Sequence, residues 1–251
     1  MGIQLVQLNQ CPLCKSGTAS HMLRYQLRQF QVFQCKSCGL EFIDPSLDPK
    51  SMMEIYHSSE TLQEINPSLE NYYEYENLGT NTVTYSDYTQ ALDELGRFSK
   101  EKSLLEAGSG TGSFLKVAQE KGWQVWGVDS SPENIERASQ AGIPGDVSGF
   151  LECSPSKKFD AVVFWDLIEH PQDPLQFILK CREITKDPGF VMISAPHYPN
   201  ILTLLARLIY CLSFKRVKFP IEQLYVLEHT SYFSLESLSR LLEKGGFKVV
   251  K

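Results

Sequence analysis

The sequence lacks any uninterrupted apolar segment long enough to cross a membrane, for which about 18 residues are needed. Its longest apolar stretch, ILTLLARLIYCL at 201–212, is shorter and contains Arg207. The first residues, MGIQLVQLNQCPLC, also lack the basic region and the long apolar core of a secretory signal. We therefore expect no membrane span and a cytoplasmic location.

The sequence also lacks an excess of basic residues, since its formal net charge is −6. Proteins that bind nucleic-acid backbones are usually basic. The single compact basic run, FKRVKF at 214–219, is typical of a solvated surface segment. We therefore expect no nucleic-acid partner. The length of 251 residues suits one α/β core with a small accessory module.

Four of the seven cysteines fall into two C-x2-C pairs that are separated by twenty residues. Two residues between thiols allow both sulfurs of a tight turn to reach one ion, and two such turns complete a tetrahedral zinc shell. Residues 1–43 are therefore predicted to be a zinc ribbon, with a hairpin between the pairs and a structural ion. Two disulfides or unrelated thiols are the alternative, which a cytoplasmic location disfavours. The predicted ligands are Cys11, Cys14, Cys35 and Cys38.

The other three cysteines, Cys153, Cys181 and Cys211, are scattered. This favours small buried hydrophobic residues over nucleophiles. The next segment, 44–84, has little periodicity and is predicted to be a connector with short helical turns.

Residues 85–251 are predicted to form a single α/β domain. A helix is predicted over 85–98, and short apolar strands then alternate with amphipathic helices, which indicates a parallel, doubly wound sheet covered on both faces. The long connection 197–230 is predicted to form a lid-like insertion. Strands are predicted at 103–108, 124–129, 142–146, 159–166 and 189–196, and helices at 113–121, 132–140, 173–185 and 234–245.

The stretch EAGSGTG follows the first of these strands and opens a helix. Its glycines depart from the dinucleotide pattern G-x-G-x-x-G, because position 113 is serine. Glu106 precedes the glycines and would repel a pyrophosphate, whereas Asp129 ends the next strand, where an acid can accept hydrogen bonds from ribose hydroxyls. The expected ligand is a nucleoside with positive charge and no phosphate, and S-adenosylmethionine fits this description.

LLEAGSGTGSFL, VWGVDSSPENIERA, FDAVVFWDLIEHPQDPLQFI and HTSYFSLESLSRLLEKGGF resemble the successive motifs of class I S-adenosylmethionine-dependent methyltransferases. They are most similar to the small-molecule branch that carries an LEH…DP motif. FQCKSCGLEFIDP resembles the N-terminal zinc module of a subset of that branch, which includes sugar methyltransferases. The resemblance implies a Rossmann-like methyltransferase sheet.

The resemblance also implies roles for single residues in cofactor binding. Glu106 and the first glycines would line the methionine end, Asp129 would hold the ribose, and the last residues of the fourth strand would lie near the methyl group. The implied cofactor-binding residues are Glu106, Gly108, Gly110, Gly112, Asp129, Ser130, Asp146, Trp165 and Asp166.

A hydroxyl acceptor needs a base within hydrogen-bond reach. Glu169 and His170 follow the fourth strand, and the ordinary pKa of a histidine suits proton transfer near neutrality. His229 is a second candidate. Structural roles are the alternative for all three, because Glu169 and His170 can pin their loop and His229 can cap the helix that follows it.

The resemblance favours methyl transfer from S-adenosylmethionine to oxygen or carbon of a small-molecule acceptor such as a sugar or nucleotide sugar. The alternatives are an RNA methyltransferase guided by the zinc module and a non-catalytic cofactor-binding interaction protein. FKVVK, at 247–251, is predicted to be the sixth strand. The seventh strand of the family would then be missing, and the open sheet edge leads to the hypothesis of a homodimer.

Overall fold

The computed structural model describes residues 3–57, 83–99 and 101–250. Their contacts divide into two compact units. The described residues of the first, which we call the cysteine unit, fall within Met1–Met52, Glu169–Leu175 and Ala195–Lys251. Those of the second, the sheet unit, fall within Met53–Ile168 and Gln176–Ser194.

The sheet unit contains five parallel strands in the order β10-β9-β6-β7-β8. The inner strands are runs of buried side chains, as expected for a parallel sheet with both faces covered. The strands are β6 (Ser103–Ala107), β7 (Gln124–Asp129), β8 (Gly145–Val147), β9 (Phe159–Trp165) and β10 (Thr185–Ser194).

The strand order reverses beside β6. From β6 the chain moves outward to β7 and β8, and it then returns to the other side of β6 with β9 and β10. In open α/β sheets, ligands bind outside the carboxyl ends of the strands at this reversal. The loops after β6 and β9 are therefore the segments in which a ligand site is expected.

The helices of this unit follow the predicted alternation. The start of helix α4 (Pro132–Gln140) is fixed by two features. The Ser131 side chain accepts a hydrogen bond from the Asn134 backbone N–H, and Pro132 occupies the first turn. Leu92, Phe114 and Trp123 are buried in one apolar cluster with residues of the strands. The helices are α2 (Val83–Gly96), α3 (Ser113–Glu120), α4 (Pro132–Gln140) and α5 (Pro174–Ile184), of which Pro174 and Leu175 belong to the cysteine unit.

The cysteine unit contains a four-stranded antiparallel sheet in the order β11-β4-β3-β2. Strands β2 (His21–Gln26) and β3 (Gln31–Cys35) form the predicted hairpin. Strand β4 (Glu41–Asp44) follows, and β11 (Ser231–Tyr232) completes the sheet from far along the chain. A separate pair joins β1 (Leu5–Val6) and β5 (Ser46–Leu47).

Four further α-helices lie in the described ranges. Helix α1 (Pro49–His57) lies in the predicted connector, whose residues 58–82 fall outside the described ranges. Helices α6 (Ile201–Leu212), α7 (Phe219–Glu222) and α8 (Leu235–Lys244) follow in the cysteine unit. None of the helices in the described ranges combines the length and the hydropathy that crossing a bilayer requires.

The prediction of a sixth strand over 247–251 is wrong for its described part. Residues 247–250 form no strand. Gly246, at φ +83°, turns the chain after α8. The apolar residues that follow pair with no strand in the described ranges, and a strand exists only where its backbone groups find a neighbour. Val250 is accordingly 68% exposed.

Candidate functional site

The four paired cysteines lie together in the cysteine unit. The Sγ atoms of Cys11 and Cys38 are 3.6 Å apart, and those of Cys14 and Cys35 are 3.5 Å apart. All four sulfurs lie within 4.8 Å of one another. Tetrahedral zinc at about 2.3 Å from each sulfur separates thiolates by ~3.8 Å. The cluster therefore has the ligand type and spacing that could hold a structural zinc ion.

Both cysteine turns are built alike. The Lys15 N–H donates to the Cys11 carbonyl, and the Gly39 N–H donates to the Cys35 carbonyl. Lys15 and Gly39 both have positive φ, at 60° and 81°, and glycine adopts this conformation without strain. The hydrogen bond from Cys38 lowers the pKa of Cys11 to about 5, so a thiolate forms readily in the cluster.

The predicted burial of the other three cysteines is correct for two of them. Cys153 and Cys181 are buried, and burial raises the pKa of both thiols, which makes them poor nucleophiles. Cys211 is exposed on α6, so its predicted burial is wrong. Its helix has an exposed apolar face, so the apolar neighbours of Cys211 in the sequence do not bury it.

Asp129, at the end of β7, binds the backbone of residues 108–112, which we call the glycine loop. One carboxylate oxygen accepts a hydrogen bond from the Gly110 N–H at 2.9 Å. The other accepts from the Ser131 N–H at 2.9 Å and from the Asn134 side-chain amide at 3.2 Å. The carboxylate is therefore held rigidly across the loop. A side-chain oxygen has room for one further donor, as a ribose hydroxyl would require.

Glu106 lies at the base of the same loop and is 3% exposed. Its Oε2 is buried and has no hydrogen-bond partner among the described residues. Burial, and then the charge of Asp129, raise the pKa of this carboxyl well above its ordinary value. An unsatisfied buried carboxylate is costly unless a cation or donor reaches it. Glu106 thus fits the ammonium or sulfonium end of S-adenosylmethionine.

The three glycines of the loop have positive φ, at 68°, 53° and 84°. Gly108 is exposed and Gly110 half-buried, so their backbones are open to a ligand. Gly112 is buried, and a Cβ there would lie 3.2 Å from Ile143 Cγ1. The structure therefore gives Gly112 a packing role against α4 and the segment that follows it.

A further glycine, which sequence reasoning missed, allows the loop to lie on the sheet. A Cβ added to Gly127 in β7 would be 2.6 Å from the Ser109 hydroxyl oxygen. No local motif marks Gly127, since the requirement comes from a neighbouring strand. Asn134, which steadies Asp129, was also missed, although it follows the helix-capping Ser131 by three residues.

The other predicted cofactor residues lie at the ends of neighbouring strands. Ser130 follows β7 and is half-buried. Asp146 is exposed in β8, and it accepts a hydrogen bond from the Trp126 indole at 3.0 Å. The Trp165 ring packs against Tyr88 and Phe114. Asp166 has φ +46°, and its backbone N–H donates to the Ser194 carbonyl. Contacts of these side chains with a cofactor remain predictions.

The predicted catalytic residues meet in the cysteine unit. Ligand atoms of Glu169, His170 and His229 lie within 4.8 Å of one another, a spacing that would also allow a metal ion. The two imidazole rings are 4.9 Å apart and nearly perpendicular. Glu169 and His170 are buried. Burial, and then His170, lower the pKa of His229 well below its ordinary value, so this ring stays neutral near pH 7.

The orientation of His170 is set by a backbone group that sequence reasoning missed. Its Nδ1 lies 2.8 Å from the Glu228 carbonyl oxygen. A carbonyl only accepts, so Nδ1 carries the proton, and Nε2 of the neutral ring bears the lone pair. The Glu169 carbonyl accepts from the Ser231 N–H, which fixes the same loop.

Tyrosines pack in the same part of the cysteine unit. The Tyr198 hydroxyl donates to the Leu224 carbonyl, and its ring packs against Tyr232 at 4.7 Å. Burial raises the pKa of Tyr198 to about 12. Tyr198 therefore stays protonated near neutrality and is a hydrogen-bond donor there, not a base.

Comparison with known proteins identifies the family. A family described as "Methyltransferase domain" matches residues 82–251, which is more than half of the chain. The chain belongs to this family. The match begins after the four cysteines, so the classification of the N-terminal residues as a zinc ribbon remains a prediction.

The curated proteins that are similar to this chain include ubiquinone biosynthesis O-methyltransferases. That of Cereibacter sphaeroides is 33% identical over 97 aligned positions, and the match covers 36% of this chain and 39% of the relative. That of Rhodopseudomonas palustris is 34% identical over 98 residues, covering 37% and 38%. The chain thus spans about two-fifths of the length of these relatives.

Solved structures show the same fold. A magnesium protoporphyrin IX methyltransferase from Synechocystis with bound SAH has a TM-score of 0.56 at 14% identity, covering 81% of this chain and 91% of that one. A SAM-dependent methyltransferase from Thermotoga maritima has a TM-score of 0.52 at 18% identity, covering 79% and 82%. The predicted α/β, doubly wound, Rossmann-like fold is therefore confirmed.

Proposed function

We propose that this methyltransferase transfers a methyl group from S-adenosylmethionine to a hydroxyl oxygen of a small molecule. The observation that carries the proposal is the buried Glu106 carboxylate beside Asp129 and the glycine loop. The O-methyltransferase relatives support oxygen as the acceptor atom. A sugar or nucleotide-sugar acceptor, predicted from the sequence, stays a prediction within this proposal.

In the proposed donor site, Glu106 would face the positively charged methionine end of the cofactor. The backbones of Gly108 and Gly110 would allow a close approach of the cofactor, because they carry no side chain. Asp129 would accept a hydrogen bond from a ribose hydroxyl, while its bonds to Gly110 and Ser131 keep it in place. Bound S-adenosylmethionine supplies an electrophilic methyl group on a sulfonium that is already a good leaving group.

In the proposed acceptor site, His170 is the general base. Its Nδ1–H is held by the Glu228 carbonyl, and Nε2 would take the proton of the acceptor hydroxyl. His229 stays neutral, and its ring packs edge-on against the ring of His170 and holds it in place. Glu169, in the same cluster, stabilises the imidazolium that forms. The main further contribution is alignment of acceptor and methyl group at about 3 Å.

The proposal is tested in two steps with the full chain. Calorimetry first measures S-adenosylmethionine binding, with NADH as the control ligand. A methyl donor labelled on its methyl group is then offered with phenolic acceptors and, separately, with nucleotide sugars. Labelled product from a hydroxyl compound supports the proposal. Absence of cofactor binding overturns it, and label on nitrogen or carbon alone overturns the choice of oxygen.

A further inference from the structure

Helix α6 presents an apolar face to solvent. Six of its leucine and isoleucine side chains are more than half exposed, and Ile201 reaches 73%. Single exposed apolar residues are normal on protein surfaces, whereas a contiguous set marks an interaction site. The exposed apolar residues of the helix are Ile201, Leu202, Leu204, Leu205, Leu208, Ile209 and Leu212.

The inner face of α6 fixes this orientation. Thr203, Ala206 and Tyr210 are buried. Arg207 also lies on this side, where its guanidinium donates to both oxygens of the Glu41 carboxylate at 2.6 and 2.7 Å. The Tyr225 hydroxyl donates to the same carboxylate. The helix therefore pairs its one charge inward, and a rotation that buried the leucines would break a buried ion pair.

The apolar face continues into the segment 214–219. Phe214 is 87% exposed and Phe219 68% exposed. Phe214 and the next residue, Lys215, both have positive φ, at 54° and 66°. Such conformations are strained for residues with a Cβ and are characteristic of functional segments. The backbone thus holds a large aromatic ring in solvent at a conformational cost.

The charged residues in and around α6 and the segment 214–219 are all basic. Between positions 195 and 221 the sequence contains four Lys or Arg residues and no Asp or Glu. Three of them, Lys215, Arg216 and Lys218, alternate with the exposed apolar residues of the segment. The chain as a whole carries a net charge of −6, so this basic segment is a local exception.

We propose that α6 and the segment 214–219 form a docking surface for an anionic lipid bilayer. A helix with an apolar face and adjacent cations lies in the membrane interface, with its aliphatic side chains among the acyl chains and its cations at the headgroups. Long Lys and Arg side chains reach the headgroups while aromatic rings stay at the boundary. This surface binds from one side and does not span the bilayer.

A bilayer suits this surface better than a second copy of the chain. A two-fold contact would repeat the same surface, which supplies cations and no carboxylate to pair them. An anionic leaflet provides the missing countercharge. It also accepts an apolar face without needing a complementary shape.

The test is flotation of the full chain with vesicles of equimolar phosphatidylcholine and phosphatidylglycerol, compared with phosphatidylcholine alone. We expect binding to the anionic vesicles that weakens in high salt. The double variant Lys215→Gln/Arg216→Gln removes two cations and should lower the partition coefficient about 30-fold. The double variant Leu204→Glu/Leu208→Glu should reduce binding to background.

Matched controls replace similar residues elsewhere. Leu235→Glu changes a leucine that is 68% exposed on α8, and Lys116→Gln with Arg28→Gln removes two exposed cations outside the surface. Both should bind as the unchanged chain does. Cofactor binding by calorimetry checks that each variant is folded, and it keeps the result separate from methyl transfer.

Three results would overturn the proposal. The first is that the chain floats equally well with and without the anionic lipid, or that it does not float with either kind of vesicle. The second is unchanged binding in the Lys215→Gln/Arg216→Gln variant. The third is a dimer on size exclusion that Leu204→Glu/Leu208→Glu dissociates while no form floats, which would identify a second copy as the occupant.

Discussion

The Nδ1 atom of His170 and the carbonyl oxygen of Glu228 lie 2.8 Å apart and form a buried hydrogen bond. This bond assigns the Nδ1 proton and so makes Nε2 the atom that can accept one. The proposed base role of His170 depends on this tautomer.

Two substitutions of His170 separate its two nitrogens. In His170→Asn, the side-chain amide can still donate to the Glu228 carbonyl, but no group remains at the Nε2 position. We expect kcat to fall by about 10²- to 10⁴-fold with cofactor affinity unchanged. His170→Gln also loses the buried bond and should lower the free energy of unfolding by about 1 kcal/mol as well. A nearly full rate in the stable Asn variant would show that His170 only pins its loop.

Glu106 should favour function at the expense of stability. Its folded-state pKa is raised above the unfolded value, so the folded protein binds more protons and loses stability as pH rises from about 4.3 towards the raised pKa. Glu106→Gln should remove this loss and raise the melting temperature of the cofactor-free protein near neutrality. Melting curves across pH measure the effect, with the exposed Glu133→Gln as the control.

The same variant should weaken cofactor binding about 10- to 100-fold, since a charge-assisted contact is lost. Because Glu106 must ionise to face a cation, binding should release protons, and affinity should rise with pH. Calorimetry in two buffers of different ionisation enthalpy measures this release. Unchanged affinity in Glu106→Gln would exclude the proposed contact.

Asp129 and Asp146 should differ in their effect on cofactor affinity. Asp129 is bonded to the loop through two backbone N–H groups, so Asp129→Asn disturbs both the loop and the proposed ribose contact. We expect a loss of about 10- to 100-fold in affinity. Asp146 is exposed and bonded to Trp126, and Asp146→Asn should cost less. Calorimetric titration compares the two variants, and equal losses would contradict this ranking.

Metal removal should destabilise the chain. Stripping zinc with a chelator, or the substitution Cys14→Ser, should lower the melting temperature, because a structural ion contributes folding free energy. Cys211→Ser is the matched control, since that thiol is exposed. Elemental analysis should find one zinc per chain. Two ions per chain would instead indicate that Glu169, His170 and His229 bind a metal, and would contradict the proposed base.

The alternating part of the chain was predictable because its signals are local. Strands β6, β7 and β9 and helices α3 and α4 lie within one residue of their predicted bounds, since buried runs and capping residues mark them. Strand β10 begins earlier than predicted, at Thr185, with an irregular register before Phe190. Lys186, Asp187 and Pro188 lie in this irregular part, and such residues hide a strand from pattern reasoning.

The details of the site were less predictable because they depend on distant backbone groups. No pattern indicates that the Glu228 carbonyl orients His170, or that the Ser109 hydroxyl requires glycine at position 127. The pairing of β11 with β4 joins residues almost two hundred positions apart through two-residue registers. The outward face of α6 was also missed, because helical spacing does not reveal which side is covered.

The pairing of β11 with β4 has a consequence for the order of folding during synthesis. The four predicted zinc ligands precede the sheet unit in the sequence, so they leave the ribosome before it and could capture an ion first. Their sheet is completed only when Ser231 and Tyr232 have been translated. Meanwhile the chain of the sheet unit, whose contacts lie between Met53 and Ser194, has already emerged. Until then the edge of β4 that later pairs with β11 has no partner strand. Limited proteolysis of stalled nascent chains would detect this incomplete sheet.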